Sequence, residues 1–222
     1  MKGFTLFLNG VYRQQDMSFY RQFCNSKCTV AVDGGYSFFR KASLFPDILI
    51  GDFDSLKRFP RDLPETTTVI RHPSRKDKTD LHLAIDYCVE IGARTIDIVQ
   101  PSVGEIDHLL ANTHCVSYGV FDSGSRKAPL IRIISPMHEI RPVVDGAVTF
   151  TDKVGDTVSV LALSEKVVLS ITGTEYRGRG ISLKLGETRG LRNRITSRRA
   201  RFQVQGRALI VRLFSRRWDL MN

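Results

Sequence analysis

The chain has 222 residues, 42% of them hydrophobic and 25% charged, which is the apolar fraction of a globular protein and a length that suits one large or two small domains. No apolar run approaches the ~20 residues of a membrane helix, and residues 4–8 (Phe-Thr-Leu-Phe-Leu) are too few for a signal peptide and lack a small-residue cleavage site, so a cytoplasmic protein without a membrane role is expected. The net charge of +10 is uneven, because arginine accumulates from Arg177 to Arg217; nucleotide phosphates, nucleic acid, an acidic partner and a solvated basic face are all compatible with it.

In chain order, residues 4–8 read as a first buried strand, followed by a helix near residues 18–23. Residues 29–32 (Thr-Val-Ala-Val) form a strand that feeds Asp33-Gly34-Gly35, with a helix over 35–43. Residues 48–50 feed Gly51-Asp52-Phe53-Asp54-Ser55, and residues 67–70 feed a loop carrying Arg71, Arg75, Lys76, Asp77, Lys78 and Asp80, with a helix over 77–91. Residues 95–99 feed residues 100–108, and a helix follows over 107–118. Strands alternating with helices imply a parallel sheet, which binds ligands just beyond the carboxyl ends of its strands, so the acid-bearing loops are expected on one rim.

Beyond about residue 120 the texture changes. A turn-rich connector at 122–127 precedes short β-branched runs at 130–134, 147–151, 157–161, 167–171, 200–204 and 208–213, spaced by Gly, Asp and Ser turns. Residues 173–193 read as a long irregular loop. The expected fold is an α/β domain over residues 1–135, mostly parallel sheet flanked by helices, then an all-β antiparallel sandwich or barrel over 136–222. Cys24 and Cys28 have no second pair to complete a zinc site, and Cys88 and Cys115 fall on apolar helix faces, so all four cysteines read as reduced thiols.

The chemistry concentrates in the acid-bearing loops. Asp52 and Asp54 lie two apart after a strand; in extended backbone they point to one side and can offer oxygens to a hard cation such as Mg2+, although a lone acidic pair beside Gly and Ser also reads as a simple turn. Asp77 and Asp80 begin a helix and can face one way, as acids that merely stabilise a helix start also do. Arg71, Arg75, Lys76 and Lys78 beside them supply the cations that a polyphosphate needs, and Asp33-Gly34-Gly35 lets backbone approach a ligand closely. His108, with Asn112 one helical turn on, is either a general base or a capping histidine. No nucleophile elbow, Walker loop or dinucleotide glycine pattern is present, so phosphoryl chemistry by positioning and metal electrostatics, without a covalent intermediate, fits best.

Asp33-Gly34-Gly35, Gly51-Asp52-Phe53-Asp54-Ser55, Asp77-Lys78-Thr79-Asp80 and Asp107-His108-Leu109-Leu110-Ala111-Asn112, in this order and spacing, resemble the thiamine pyrophosphokinase family. More weakly, Gly155-Asp156-Thr157-Val158-Ser159, Thr172-Gly173-Thr174-Glu175-Tyr176 and Gly190-Leu191-Arg192-Asn193 are similar to its β domain. The resemblance implies a homodimer with active sites between subunits that transfers pyrophosphate from MgATP to thiamine, giving thiamine diphosphate and AMP. It also implies that Asp52, Asp54 and Asp80 hold Mg2+, that Asp33, Gly34, Gly35, Arg75, Asp77 and Lys78 face ATP, that Asp107 and Asn112 shape the site, and that Arg192 and Asn193 lie toward the acceptor. Two departures stand out. Val103-Gly104-Glu105 replaces the family's usual Gly-Gly-Arg, and Arg192-Asn193-Arg194 replaces Ser-Asn-Glu. Thiamine is a cation, and like charges ~4 Å apart repel by about 1 kcal/mol in water and several times more when partly buried. The alternatives are therefore a pyrophosphokinase for another hydroxymethyl acceptor, pterin-like, or a non-catalytic relative binding RNA or another polyanion; a nucleic-acid partner is not the expected one.

Overall fold

The structure, a computed structural model, describes residues 2–25, 27–56, 58–121 and 128–215. The connector at 122–127 and the arginines at 216 and 217 lie outside them. The chain forms two compact units, one holding residues up to Gly119 together with the strand at 130–134, the other holding the described residues from Met137 onward.

The first unit is built on parallel strands: β1 (Gly3–Phe7), β2 (Cys28–Val32), β3 (Ile48–Gly51), β4 (Thr68–Arg71), β5 (Thr95–Val99) and β6 (Leu130–Ile134). Their spatial order is β6-β5-β1-β2-β3-β4, every neighbouring pair parallel. The chain steps outward from β1 through β2 and β3 to β4, then crosses back to lay β5 and β6 on the other side. Strands covered on both faces are apolar without alternation, as Thr29-Val30-Ala31-Val32 and Ile48-Leu49-Ile50 are, and these residues are buried. β4 is the sheet edge and is the most exposed of the six.

Helices α1 (Met17–Arg21), α2 (Tyr36–Ala42), α3 (Asp80–Glu90) and α4 (Ile106–Phe121) complete the unit. An aromatic group ties α1 and α2 to β1: the Phe38 ring stacks on Phe7 at 4.3 Å, Phe39 meets Phe7 edge-on at 5.0 Å, and Tyr12 packs against Tyr20 at 4.8 Å. α3 starts at Thr79, whose hydroxyl accepts the His82 N–H at 3.3 Å. No helix among the described residues is long and apolar enough to cross a membrane.

The second unit contains two antiparallel sheets. One joins β7 (His138–Val144), β14 (Arg207–Leu213), β9 (Thr157–Ala162) and β12 (Asn193–Arg194); the other joins β8 (Ala147–Thr151), β13 (Arg199–Gln205), β10 (Lys166–Thr172) and β11 (Gly178–Lys184). Side chains from both sheets share one core, including Val158, Val160, Leu169, Phe202, Val204 and Ile210. Inside this unit the Arg212 guanidinium donates to Glu139 at 2.6 Å and to Asp156 at 2.8 Å and lies over the rings of Phe150 and Phe214.

The fold class is the expected one, an α/β part followed by an all-β antiparallel part. Three segments differ from the sequence reading. The run at 130–134 extends the parallel sheet as β6, where Arg132 binds Asp97 on the adjoining β5. β7 is obscured in the sequence by its His, Glu, Arg and Pro, and its burial falls on adjacent pairs, Glu139-Ile140 and Pro142-Val143, not on alternate residues. Residues 178–184, read as loop, form β11, an edge strand whose glycines and exposed polar residues weaken the signal.

Candidate active site

Three loops at the carboxyl ends of the parallel strands carry the site, and backbone geometry decides how closely they approach. β2 runs into Asp33, which has left-handed backbone (φ 46°) and opens a single 3-10 turn over Asp33–Gly35. That turn lies against the end of β1: a Cβ on Gly34 would sit 2.2 Å from the Asn9 Oδ1, and one on Gly35 only 1.9 Å from the Phe7 carbonyl oxygen. No side chain fits at Gly35, where the neighbour is backbone, and one at Gly34 would have to displace the Asn9 side chain. β3 ends at Gly51, whose φ of 150° and whose approach to Asp33, 2.9 Å from a built Cβ to the Asp33 Cβ, again require glycine. These glycines bring the carboxylates of Asp33 and Asp52 into one place.

Asp80, the first residue of α3, joins them. One carboxylate oxygen from each of Asp33, Asp52 and Asp80 lies within 4.8 Å of the others. Three like charges so close repel unless a cation separates them. Lys76 partly serves: its ammonium donates to Asp52 Oδ2 and Asp80 Oδ1, both at 2.8 Å, with all three side chains largely shielded from solvent. The hydrogen bond from Lys76 holds the Asp52 carboxyl below its ordinary range against the opposing effect of burial. Burial would lower the Lys76 ammonium, but the two carboxylates outweigh it and its pKa is raised. Asp33 differs, because its Oδ1 is buried and has no hydrogen-bond partner among the described residues. A buried carboxylate oxygen without a donor, beside two more carboxylates, is a set of hard oxygen ligands that fits a divalent cation such as Mg2+.

Asp54 lies outside this group. The expectation that it shares a side with Asp52 assumed extended backbone, but Phe53 between them is left-handed (φ 69°) and turns the chain. Phe53 is buried against Phe59 at 5.3 Å, with Arg71 over its ring. Asp54 is exposed; its N–H donates to Asp52 Oδ1 at 3.1 Å and its carboxylate accepts the Ser55 hydroxyl at 3.3 Å. In the basic loop Arg75 and Asp77 are exposed and Lys78 pairs with Asp86 on α3, so Lys76 is the cation turned onto the carboxylates.

Asp107 accepts the His108 N–H at 2.8 Å and forms, with Glu105 and His108, a second acidic group that is fully exposed; Asn112 is half-buried on α4. The loop before α4 is tied down by Ser102, which donates to the buried Asp16 at 2.7 Å and lies 2.9 Å from the Tyr20 hydroxyl. In the second unit Asn193 is buried and engaged locally: its Oδ1 accepts the Tyr176 N–H at 2.9 Å and its Nδ2 donates to Thr174 and to the Tyr176 carbonyl. Arg192 is exposed with φ 57°, and Arg194 pairs with Glu175 at 3.3 Å.

The sequence groups Lys76 with the other cations of the basic loop and places Asp33 toward the nucleotide, whereas the structure sets both beside the carboxylates of Asp52 and Asp80. Sequence reasoning also missed Asn9 against Gly34, and Gln100 just beyond β5, whose buried Oε1 is unpartnered among the described residues. Asp33 and Gln100 are marked by unpartnered buried acceptors and Asn9 by its close approach to Gly34, all tertiary facts that no sequence pattern carries. The cysteines are free, and burial pushes the thiols of Cys24 and Cys115 up to about 11, that of Cys88 to about 12 and that of Cys28 upward as well, so none is an activated nucleophile.

Comparison with known proteins points the same way. The family described as thiamin pyrophosphokinase, catalytic domain, matches residues 19–123, which contain every one of the four loops. A thiamine pyrophosphokinase from Bacillus subtilis is 28% identical over 186 residues, covering 82% of this chain and 85% of that protein. Among solved structures, a thiamin pyrophosphokinase from Geobacillus thermodenitrificans superimposes with a TM-score of 0.75 at 27% identity, covering 96% of this chain and 97% of the other. The yeast thiamin pyrophosphokinase shares the fold with a TM-score of 0.73 at 12% identity, covering 100% and 89%. The resemblance carried by the four motifs therefore holds in sequence and in fold.

Proposed function

We propose that this thiamine pyrophosphokinase-like diphosphotransferase moves the terminal diphosphate of ATP to the hydroxyl of thiamine, giving thiamine diphosphate and AMP. The observation that carries the reading is the convergence of Asp33, Asp52 and Asp80 from three separate strand ends, with one buried Asp33 oxygen lacking any donor. These residues would hold Mg2+, which when bound neutralises charge on the diphosphate being transferred. In the transfer the acceptor hydroxyl oxygen bonds to the β-phosphorus, the bond from that phosphorus to the oxygen bridging toward the α-phosphate breaks, AMP leaves with that oxygen, and the hydroxyl proton passes to solvent.

The chain's own part is positioning. The Gly34 and Gly35 backbone, pressed against the end of β1, leaves room for a phosphate beside Asp33. Arg75, exposed on the loop before α3, would meet the triphosphate charge, with Lys76 and Lys78 on the same loop available to it on release from their carboxylates, and exposed Asp54 and Asp77 would frame the same rim. His108 is exposed, with its Nε2 3.5 Å from a Glu105 carboxylate oxygen, and the transfer as written needs no histidine base. Asp107 and Asn112 shape the rim from α4. On the acceptor side, pairing of Arg194 with Glu175 offsets part of the positive charge that distinguishes this chain from the family pattern, which lessens the repulsion that thiamine would meet there.

A homodimer fits an apolar strip near this rim: Val11 and Val103, joined by an isolated bridge, with Ile106 and Leu110 on one face of α4, all exposed. The test is AMP release from ATP and Mg2+. Release that depends on thiamine, with formation of thiamine diphosphate, is the expected result. Release driven by a hydroxymethylpterin and not by thiamine would replace the acceptor, and no release with either would overturn the reading.

A further inference from the structure

We propose that Lys76 is a displaceable internal cation, which holds Asp52 and Asp80 in the ligand-free protein and passes to the phosphates when metal and nucleotide arrive together. The inference rests on the metal assignment above and concerns a residue that assignment does not use. Its basis is that the ammonium and a divalent ion draw on the same two carboxylates, since Nζ lies 2.8 Å from Asp52 Oδ2 and from Asp80 Oδ1 and both residues belong to the group that would hold the ion. Two cations on one pair of carboxylates repel, so metal binding favours departure of the ammonium. Lysine suits this role because its charge is compact and its four-carbon stem is flexible, whereas a guanidinium would be held in a planar fork.

Charge explains why the arrangement is provisional. One ammonium faces three carboxylates, and the buried Asp33 Oδ1 has no partner among the described residues. Lys76 thus neutralises the site incompletely and keeps the carboxylates gathered without satisfying them. A metal arriving alone must expel the ammonium from a largely shielded position without offering it a new anion. A metal arriving with a triphosphate offers phosphate oxygens within reach of the same side chain. Metal and nucleotide binding are therefore positively coupled through Lys76, and the coupling is reciprocal.

Calorimetric titration of Mn2+ into the metal-free protein, with and without a saturating non-hydrolysable ATP analogue, tests this. Lys76→Met and Lys76→Gln are expected to bind Mn2+ alone about tenfold more tightly than wild type, and the enhancement by nucleotide is expected to shrink by a similar factor. Unchanged or weaker Mn2+ binding by these variants, or an unchanged enhancement, overturns the proposal. Asp52→Asn and Asp80→Asn separate this from the underlying reading. If they bind Mn2+ as wild type does, the metal site and the proposal fall together; if they lose Mn2+ while the Lys76 variants fail to gain it, only the proposal falls. A measurement on wild type needs no variant to fold: the Lys76 ammonium resonance should shift when Mg2+ and the analogue are added together, and a resonance that stays put counts against displacement.

Discussion

Replacing Asp33 by Asn should make the metal-free protein more stable while removing its response to metal and nucleotide. Its carboxylate oxygen lies within 4.8 Å of those of Asp52 and Asp80. Coulomb's law gives each such pair about 1 kcal/mol of repulsion in water and roughly 3 kcal/mol at an effective dielectric of 20. Asp33 takes part in two pairs, and the Lys76 ammonium beside the other two carboxylates offsets part of their charge, leaving about 1–3 kcal/mol to be gained on neutralisation. Asparagine adopts left-handed backbone readily, so the φ of 46° adds no strain. At about 3 °C per kcal/mol for a domain of this size, Tm should rise by about 3–9 °C in EDTA. Saturating Mg2+ and ATP analogue at about 100 times Kd should stabilise wild type by about 2.7 kcal/mol and the variant hardly at all, so the ranking narrows or reverses. The assay is a thermal melt of both proteins in each condition. A variant that melts below wild type in EDTA, or that keeps the full ligand-induced shift, would refute the reasoning.

Gly51→Ala should impair metal binding without touching a carboxylate, since the new Cβ would lie 2.9 Å from the Asp33 Cβ at a φ of 150°; Mn2+ affinity reduced about tenfold or more checks it, and wild-type affinity contradicts it. Arg212→Met leaves Glu139 and Asp156 buried without their shared cation, so chemical denaturation should show a loss of about 3–5 kcal/mol, partly recovered on adding Glu139→Gln; a loss below 1 kcal/mol would contradict the buried-pair account. Stability should also depend on Asp97 in acid. Burial pushes this carboxyl up, but Arg132 and Lys27 outweigh it and hold it below its unfolded value, so its contribution is complete above about pH 4 and fades as pH falls through the lower folded pKa. Urea midpoints measured against pH should fall less steeply below pH 4 for Asp97→Asn than for wild type, and parallel slopes would exclude this origin.

The inner parallel strands β2 and β3 were legible because they are apolar on both faces and run straight into Asp33-Gly34-Gly35 and Gly51-Asp52; periodicity and punctuation there agree. β7 and β11 were not, because Glu139 and Arg141 occupy strand positions through ion pairing, and β11 is an edge whose glycines carry no pattern. At the site the contributing loops could be read, and the choice among their acids could not. Whether Asp54 or Asp33 stands beside Asp52 depends on one left-handed residue, Phe53, whose burial against Phe59 is a tertiary fact. Lys76 looked like one cation among several in a basic loop until its ammonium was found on two carboxylates, while Lys78 turned to Asp86.

The central claim, that Asp33, Asp52 and Asp80 cage a divalent ion carrying the triphosphate, is tested most directly by crystals grown with Mn2+ and a non-hydrolysable ATP analogue. The account predicts an anomalous peak roughly 2.0–2.2 Å from an oxygen of each of these carboxylates and from phosphate oxygens. A peak on the exposed group of Glu105, Asp107 and His108 instead, with the Asp33 oxygen still unpartnered, would contradict it.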